Sequence, residues 1–210
     1  MIRHARWVRV SHWIAAASLL TLAFTGAEIL MVHPRLYWGD AGNDLTPALI
    51  ELPISRNYKH GGWDAPRPLS LNASGVVSAG RTYDIFNQNG WGRSLHFLSA
   101  WWLVATGAIY VPIGIARGHF RWPLYGLLQR RTYAFVIFVA APLMLATGLT
   151  MAPAVTAALP LLLRLFGGYQ SARTIHFVTF VVLLLFVAGH VVMVARSGFK
   201  RQMRAMTTGD

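Results

Sequence analysis

The chain of 210 residues contains eight histidines and no cysteine. Without cysteine there are no disulfides, iron–sulfur clusters, thiol-held zinc or covalently attached haem, so metal chemistry falls to the histidines. Four of them, His12, His96, His176 and His190, lie inside long apolar runs, where an ionisable side chain is costly and marks a site. His176 and His190 are separated by 14 residues. On a helix that spacing advances about 21 Å and leaves a rotation of only about 40°, so the two rings share one face at two depths. If the run holding His12 crosses a membrane outward and the run holding His176 and His190 returns, His12 meets His190 at one level and His96 meets His176 at the other. Two neutral imidazoles on facing helices can hold a metal ion that brings its remaining ligands with it, and a porphyrin iron is such an ion. The pattern predicts two stacked b-type haems.

The elements that must position these rings are read from the apolar runs. Hydrophobic residues make up 55% of the chain and charged residues 12%, about half the charged share of an ordinary soluble domain. Four stretches approach the roughly 20 apolar residues that cross a bilayer: 12–32, 93–115, 133–152 and 174–195. The expected fold class is all-α, a four-helix transmembrane bundle, with residues 1–210 forming one integral-membrane domain. The first run is longer than a signal-peptide core and has no evident cleavage site, so it is read as retained. Pro112 and Pro142 are expected to kink the second and third spans. The run 154–166 is too short to cross and holds Pro160 and Arg164, which suits a helix lying in the interface.

Charge gives orientation. The net charge is +12, but the cations are spread between apolar runs, which fits membrane-flanking arginine and excludes a nucleic-acid face. One side of the spans carries eleven Lys and Arg opposed only by Asp210, whereas the other carries eight with six acids, so both termini are expected in the cytoplasm. The 58 residues of segment 33–90 form a loop far beyond ordinary length on the periplasmic side. Its Tyr37, Trp38, Tyr58, Trp63, Tyr83 and Phe86 favour a packed cap or docking surface over a disordered insertion.

Other readings of the same residues stand beside these. A lone intramembrane histidine is as often a hydrogen-bonded packing residue, but four at matched depths argue against that. Zinc is the rival metal, and two histidines per level with no cysteine make a poor tetrahedral site. Gly26, Gly107, Gly148 and Gly189 give room for a flat ring, and helix packing explains them equally well. Arg9, Arg93, Arg173 and Arg196 lie near the span ends, where they can pair with haem propionates or serve as ordinary membrane-end cations. The loop 117–131 brings His119, Arg121, Trp122, Tyr125 and Gln129 to the level of His12 and His190. Of these, His119, Arg121 and Tyr125 are the candidate quinone contacts.

Arg9-Val-Ser-His12-Trp13, Gly92-Arg93-Ser-Leu-His96 and the pair His176 and His190 resemble the two-haem cytochrome b subunits of membrane-bound nickel–iron hydrogenases and formate dehydrogenases, over nearly the whole chain. The resemblance implies that His12 with His190 binds the cytoplasmic-side haem and His96 with His176 the periplasmic-side haem. It also implies a place in the inner membrane of a bacterium, quinone exchange on the cytoplasmic side and service in a respiratory chain. The long outer loop departs from the hydrogenase subunits and looks like members paired with a periplasmic molybdopterin oxidoreductase. The expected function is therefore an electron-transfer subunit between the quinone pool and a periplasmic redox protein, with no catalytic residue of its own. A self-sufficient superoxide:quinone oxidoreductase is the alternative, and a metal or proton transporter a third.

Overall fold

The computed structural model describes residues 4–43, 46–54, 89–121 and 126–209. Helix α1 runs Arg6–Val32 and is followed by a two-stranded ribbon, β1 (Arg35–Leu36) and β2 (Ile50–Glu51). Helix α2 is Asn89–Ala116, and a short 3₁₀ turn at His119–Arg121 follows it. Helix α3 spans Leu127–Thr150, α4 Pro153–Ala158, α5 Leu161–Phe166, α6 Tyr169–Arg196 and α7 Phe199–Thr207. The described residues are thus all-α apart from the ribbon, and α1, α2, α3 and α6 are long and apolar enough to cross a membrane.

These helices carry their apolar residues outward. Leu20, Trp101, Ile109, Leu128 and Leu185 are exposed, whereas Ser18, Thr25, Ser99, Thr147, Thr150 and Thr179 are buried. In lipid there is no hydrophobic gain from bringing helices together, so small residues that allow close approach take the interior positions. Each long helix begins several residues before the apolar run that announces it.

The prolines act differently from one another. Pro112 lies inside an uninterrupted α2. Ahead of Pro142, α3 contains a π turn at Val136–Ala140, with the Ala141 N–H bonded to the Val136 carbonyl. Pro142 has no N–H to continue the regular ladder, and a π turn is one of the few ways a helix absorbs such a break. The expected interfacial helix at 154–166 is two short helices. Leu159, at φ −129° and ψ 69°, is pushed out of helical geometry by the ring of Pro160 that follows it.

Two compact units are distinguished. The first comprises Met1–Thr21, Leu98–Leu145 and Val178–Asp210, the second Leu22–Phe97 and Ala146–Phe177. Each draws a portion of all four long helices. In the first unit α7 docks on α1: Trp13 Nε1 donates to the Met206 carbonyl at 2.9 Å and Arg9 Nη1 to the Thr207 carbonyl at 3.1 Å. These are among the last carbonyls of α7, which lack intrahelical partners and carry the negative end of its dipole.

In the second unit the segment after α1 is fastened to the start of α6. The Gly39 carbonyl accepts from the Gln170 and Ser171 N–H groups at 2.9 and 3.2 Å. The Gly39 N–H donates to Ser171 Oγ at 2.7 Å, and Thr174 Oγ1 to the Tyr37 carbonyl at 2.6 Å. Arg173 reaches the His33 carbonyl. The start of the helix carrying His176 is therefore held by side-chain and backbone bonds to the segment after α1. Tyr37 is buried and Trp38 exposed; Tyr58, Trp63, Tyr83 and Phe86 lie outside the described residues.

Gly168 makes this junction possible. It has φ +110°, and a Cβ there would lie 2.5 Å from Asp40 Oδ1 and from the Gly39 backbone. Gly168→Ala is expected to cost at least about 2 kcal/mol, lowering the thermal unfolding midpoint in detergent by roughly 4–8 °C. Gly107→Ala, where a Cβ meets nothing within 4 Å, is expected to leave the midpoint unchanged. Equal midpoints for the two variants would contradict this account.

Candidate functional site

Both histidine pairs form. In the first unit, α1 presents His12 and α6 presents His190, with ring centres 6.2 Å apart and planes inclined by 48°. In the second, α2 presents His96 and α6 presents His176, with centres 6.4 Å apart and planes inclined by 54°. The separation is informative. A direct hydrogen bond between two imidazoles would bring the ring centres to about 5.2 Å. Two imidazoles bound on opposite sides of one first-row metal ion, each nitrogen at about 2 Å from it, would stand about 6.3 Å apart. Both pairs match the second geometry.

The second unit shows how such a pair is built. His96 Nδ1 and Thr25 Oγ1 share a hydrogen bond of 2.9 Å, and His176 Nδ1 and Thr147 Oγ1 one of 3.0 Å. Thr25 Oγ1 also donates to the Leu22 carbonyl of its own helix at 3.4 Å. With that hydrogen given to the backbone, the Thr25 oxygen would accept from Nδ1–H, which is the His96 tautomer that leaves Nε2 unprotonated. Nε2 then keeps its lone pair, the form in which histidine binds metal.

Beside each threonine is a glycine. A Cβ at Gly26 would lie 3.6 Å from His96 Cε1, and one at Gly148 would lie 3.4 Å from His176 Cε1. The dipeptides Thr25-Gly26 on α1 and Thr147-Gly148 on α3 therefore cradle the two rings alike, the threonine holding a nitrogen and the glycine lying against the ring edge.

The first pair has different surroundings. His190 Nδ1 lies 3.4 Å from the Tyr133 hydroxyl, its ring stacks on Phe186 with centres 6.0 Å apart, and Tyr133 itself takes a hydrogen bond from Gln129 Nε2. His12 meets Trp13 edge-on at 5.2 Å. Its Nδ1 is buried and has no hydrogen-bond partner among the described residues.

The candidate arginines fall in several environments. Arg93 and Arg196 are exposed, and Arg173 is held by the His33 carbonyl. Arg9 is committed to α7 through Nη1, while its Nε is buried without a partner among the described residues. Of the three candidate quinone contacts, Tyr125 and the side chain of Arg121 lie outside the described residues.

His119 is a packed residue. Its Nε2 shares a 3.0 Å hydrogen bond with Tyr110, and its ring lies 5.3 Å from that of Trp7 and 5.7 Å from that of Phe120. Burial, and secondarily the charge of His4, hold its pKa below the ordinary histidine value.

Sequence reasoning located all four paired histidines as candidates but missed Thr25, Thr147, Tyr133, Tyr110 and Trp7. The repeated Thr-Gly step within two apolar runs was the available signal for the first two. It was diluted by Thr106-Gly107, whose hydroxyl instead donates to the Trp102 carbonyl of its own helix.

A protein of Azospira oryzae with the name "Putative protein-methionine-sulfoxide reductase subunit YedZ1" is 26% identical over 219 aligned positions, which cover 91% of this chain and 89% of that one. No solved structure matches the chain. Residues 3–209 match the family described as prokaryotic cytochrome b561. With that match extending over nearly its entire length, the chain belongs to the prokaryotic cytochrome b561 family of membrane haem proteins.

Proposed function

We propose that the chain is a di-haem b-type cytochrome that passes electrons between the membrane quinone pool and a periplasmic oxidoreductase. The observation that carries the reading is the recurrence of facing imidazoles at 6.2 and 6.4 Å. Under it, His12 with His190 holds one haem iron and His96 with His176 the other. A haem held between each pair would supply a one-electron carrier, and two histidines committed to its iron would favour electron transfer over substrate chemistry at the metal.

The protein side of that function is rigid ligation in an apolar medium. The threonine bonds keep Nε2 of His96 and His176 available, and the fastening of α6 to segment 33–40 fixes the depth at which His176 sits. Arg9, Arg93, Arg173 and Arg196 are proposed propionate partners, with Arg9 Nε the buried donor nearest that role. The whole chain acts as one integral domain of a bacterial inner membrane with both termini cytoplasmic, following the distribution of Lys and Arg.

Quinone exchange is proposed on the same side as His12 and His190, with His119, Arg121 and Tyr125 as contacts. The packing of His119 between Trp7 and Tyr110 extends that group. A neutral imidazole sharing a hydrogen with a tyrosine hydroxyl beside an indole face combines the polar group and flat apolar wall that a quinone requires. The Azospira relative's name describes a subunit of a reductase, which supports a partner oxidoreductase here; a molybdopterin centre in that partner is part of the proposal.

Replacing His12 or His190 with alanine is expected to remove one of two b-type redox components, and replacing His96 or His176 the other, in optical redox titrations of the purified protein. Retention of both components after any one of these substitutions would remove that residue from the ligand set. Tyr110→Phe and His119→Ala are each expected to slow quinol-driven haem reduction by about tenfold, the worth of one hydrogen bond of roughly 1.4 kcal/mol. Parental rates in both variants, with unchanged haem spectra, would place quinone exchange elsewhere.

A further inference from the structure

The two pairs differ in what stands behind the metal-facing nitrogens. Behind His96 and His176 are two threonine hydroxyls, at 2.9 and 3.0 Å from Nδ1, and both threonines are wholly buried. Behind His190 is one tyrosine hydroxyl at the longer distance of 3.4 Å, and behind His12 there is no partner among the described residues. A hydrogen bond from Nδ1–H to an oxygen shifts electron density toward Nε2 and makes the imidazole a stronger donor to a bound metal. In a buried site the effect is not diluted by water. A stronger donor pair stabilises the more positive oxidation state of the iron, so it lowers the potential at which the iron accepts an electron.

We propose that Thr25 and Thr147 are positioning residues which fix the tautomer of His96 and His176 and, through it, selectively depress the reduction potential of the haem held by that pair. The inference rests on the di-haem reading and concerns which residues set the difference between its two centres. The two threonines sit on different helices, α1 and α3, and hold rings carried by two others, α2 and α6. Four helices therefore converge on one electronic setting. Gly26 and Gly148 lie against the edges of the same two rings.

The test is a redox titration of detergent-purified Thr25→Val, Thr147→Val and the double variant, with Thr25→Ser and Thr147→Ser as conservative controls. Valine keeps the volume and removes the oxygen; serine keeps the oxygen. Each valine variant is expected to move the component lost in His96→Ala to higher potential, with a larger shift in the double variant. The other component stays in place, and the serine variants titrate as the parent does. Equal shifts in valine and serine variants, movement of both components together, or no shift with two haems retained would overturn the proposal while leaving the di-haem reading intact. A parent protein with no component assignable to His96 and His176 overturns both. Should the valine variants lose haem, pulsed electron–nuclear double resonance of the parent reads the same bonds directly. Hydrogen-bonded, exchangeable Nδ1 protons are expected on both ligands of that component, and their absence would refute the proposal.

Discussion

Four imidazole rings inside helices that otherwise face lipid impose the constraint around which the rest of the chain is arranged. Each ring has two polar nitrogens, and neither can be left to water in that setting. An unmet polar group there costs about 1–3 kcal/mol by mutational measure. The second unit meets half of the requirement directly, since Nδ1 of each ring goes to a threonine, and under the di-haem reading Nε2 goes to the metal. The burial of Thr25 and Thr147 follows from that division.

The same constraint shapes the ends of the helices. A ring is useful only at a fixed depth and rotation, so the helix bearing it has to be held outside the apolar region as well as within it. Gly39, Ser171, Thr174 and Tyr37 do this for α6 near His176, through bonds that join the first two turns of the helix to the segment after α1. Near His12 the work falls to α7, whose terminal carbonyls receive Arg9 and Trp13 on either side of the ring-bearing turn. In both places a helix end with orphan backbone groups is placed where another element completes it.

Much of this was legible in the residues. Apolar runs of membrane length announced the four long helices, because lipid leaves no alternative to an internally bonded backbone. The spacing of His176 and His190 announced two levels, since helical rise and turn are fixed. Less legible was anything that depends on contact between helices. Thr25 and Thr147 read as ordinary small residues of membrane helices until the rings are seen against them. His119 read as a quinone contact on the loop 117–131, and nothing in that loop shows that Trp7, more than a hundred positions away in the chain, packs against it. The run 154–166 read as one interfacial helix despite its interruptions, and the break at Leu159 has its cause in Pro160. Pairing, tautomer and packing are properties of facing surfaces, and a single run of residues specifies only one of the two.

The central claim is that each facing imidazole pair holds one b-type haem iron on both axial sides. Quantitative pyridine haemochrome analysis of the purified chain, combined with electron paramagnetic resonance of the oxidised protein, tests it most directly. Two protohaems per polypeptide are predicted, both low-spin with two nitrogen ligands. One haem or fewer per chain, or a major high-spin iron with an open axial position, would contradict the claim.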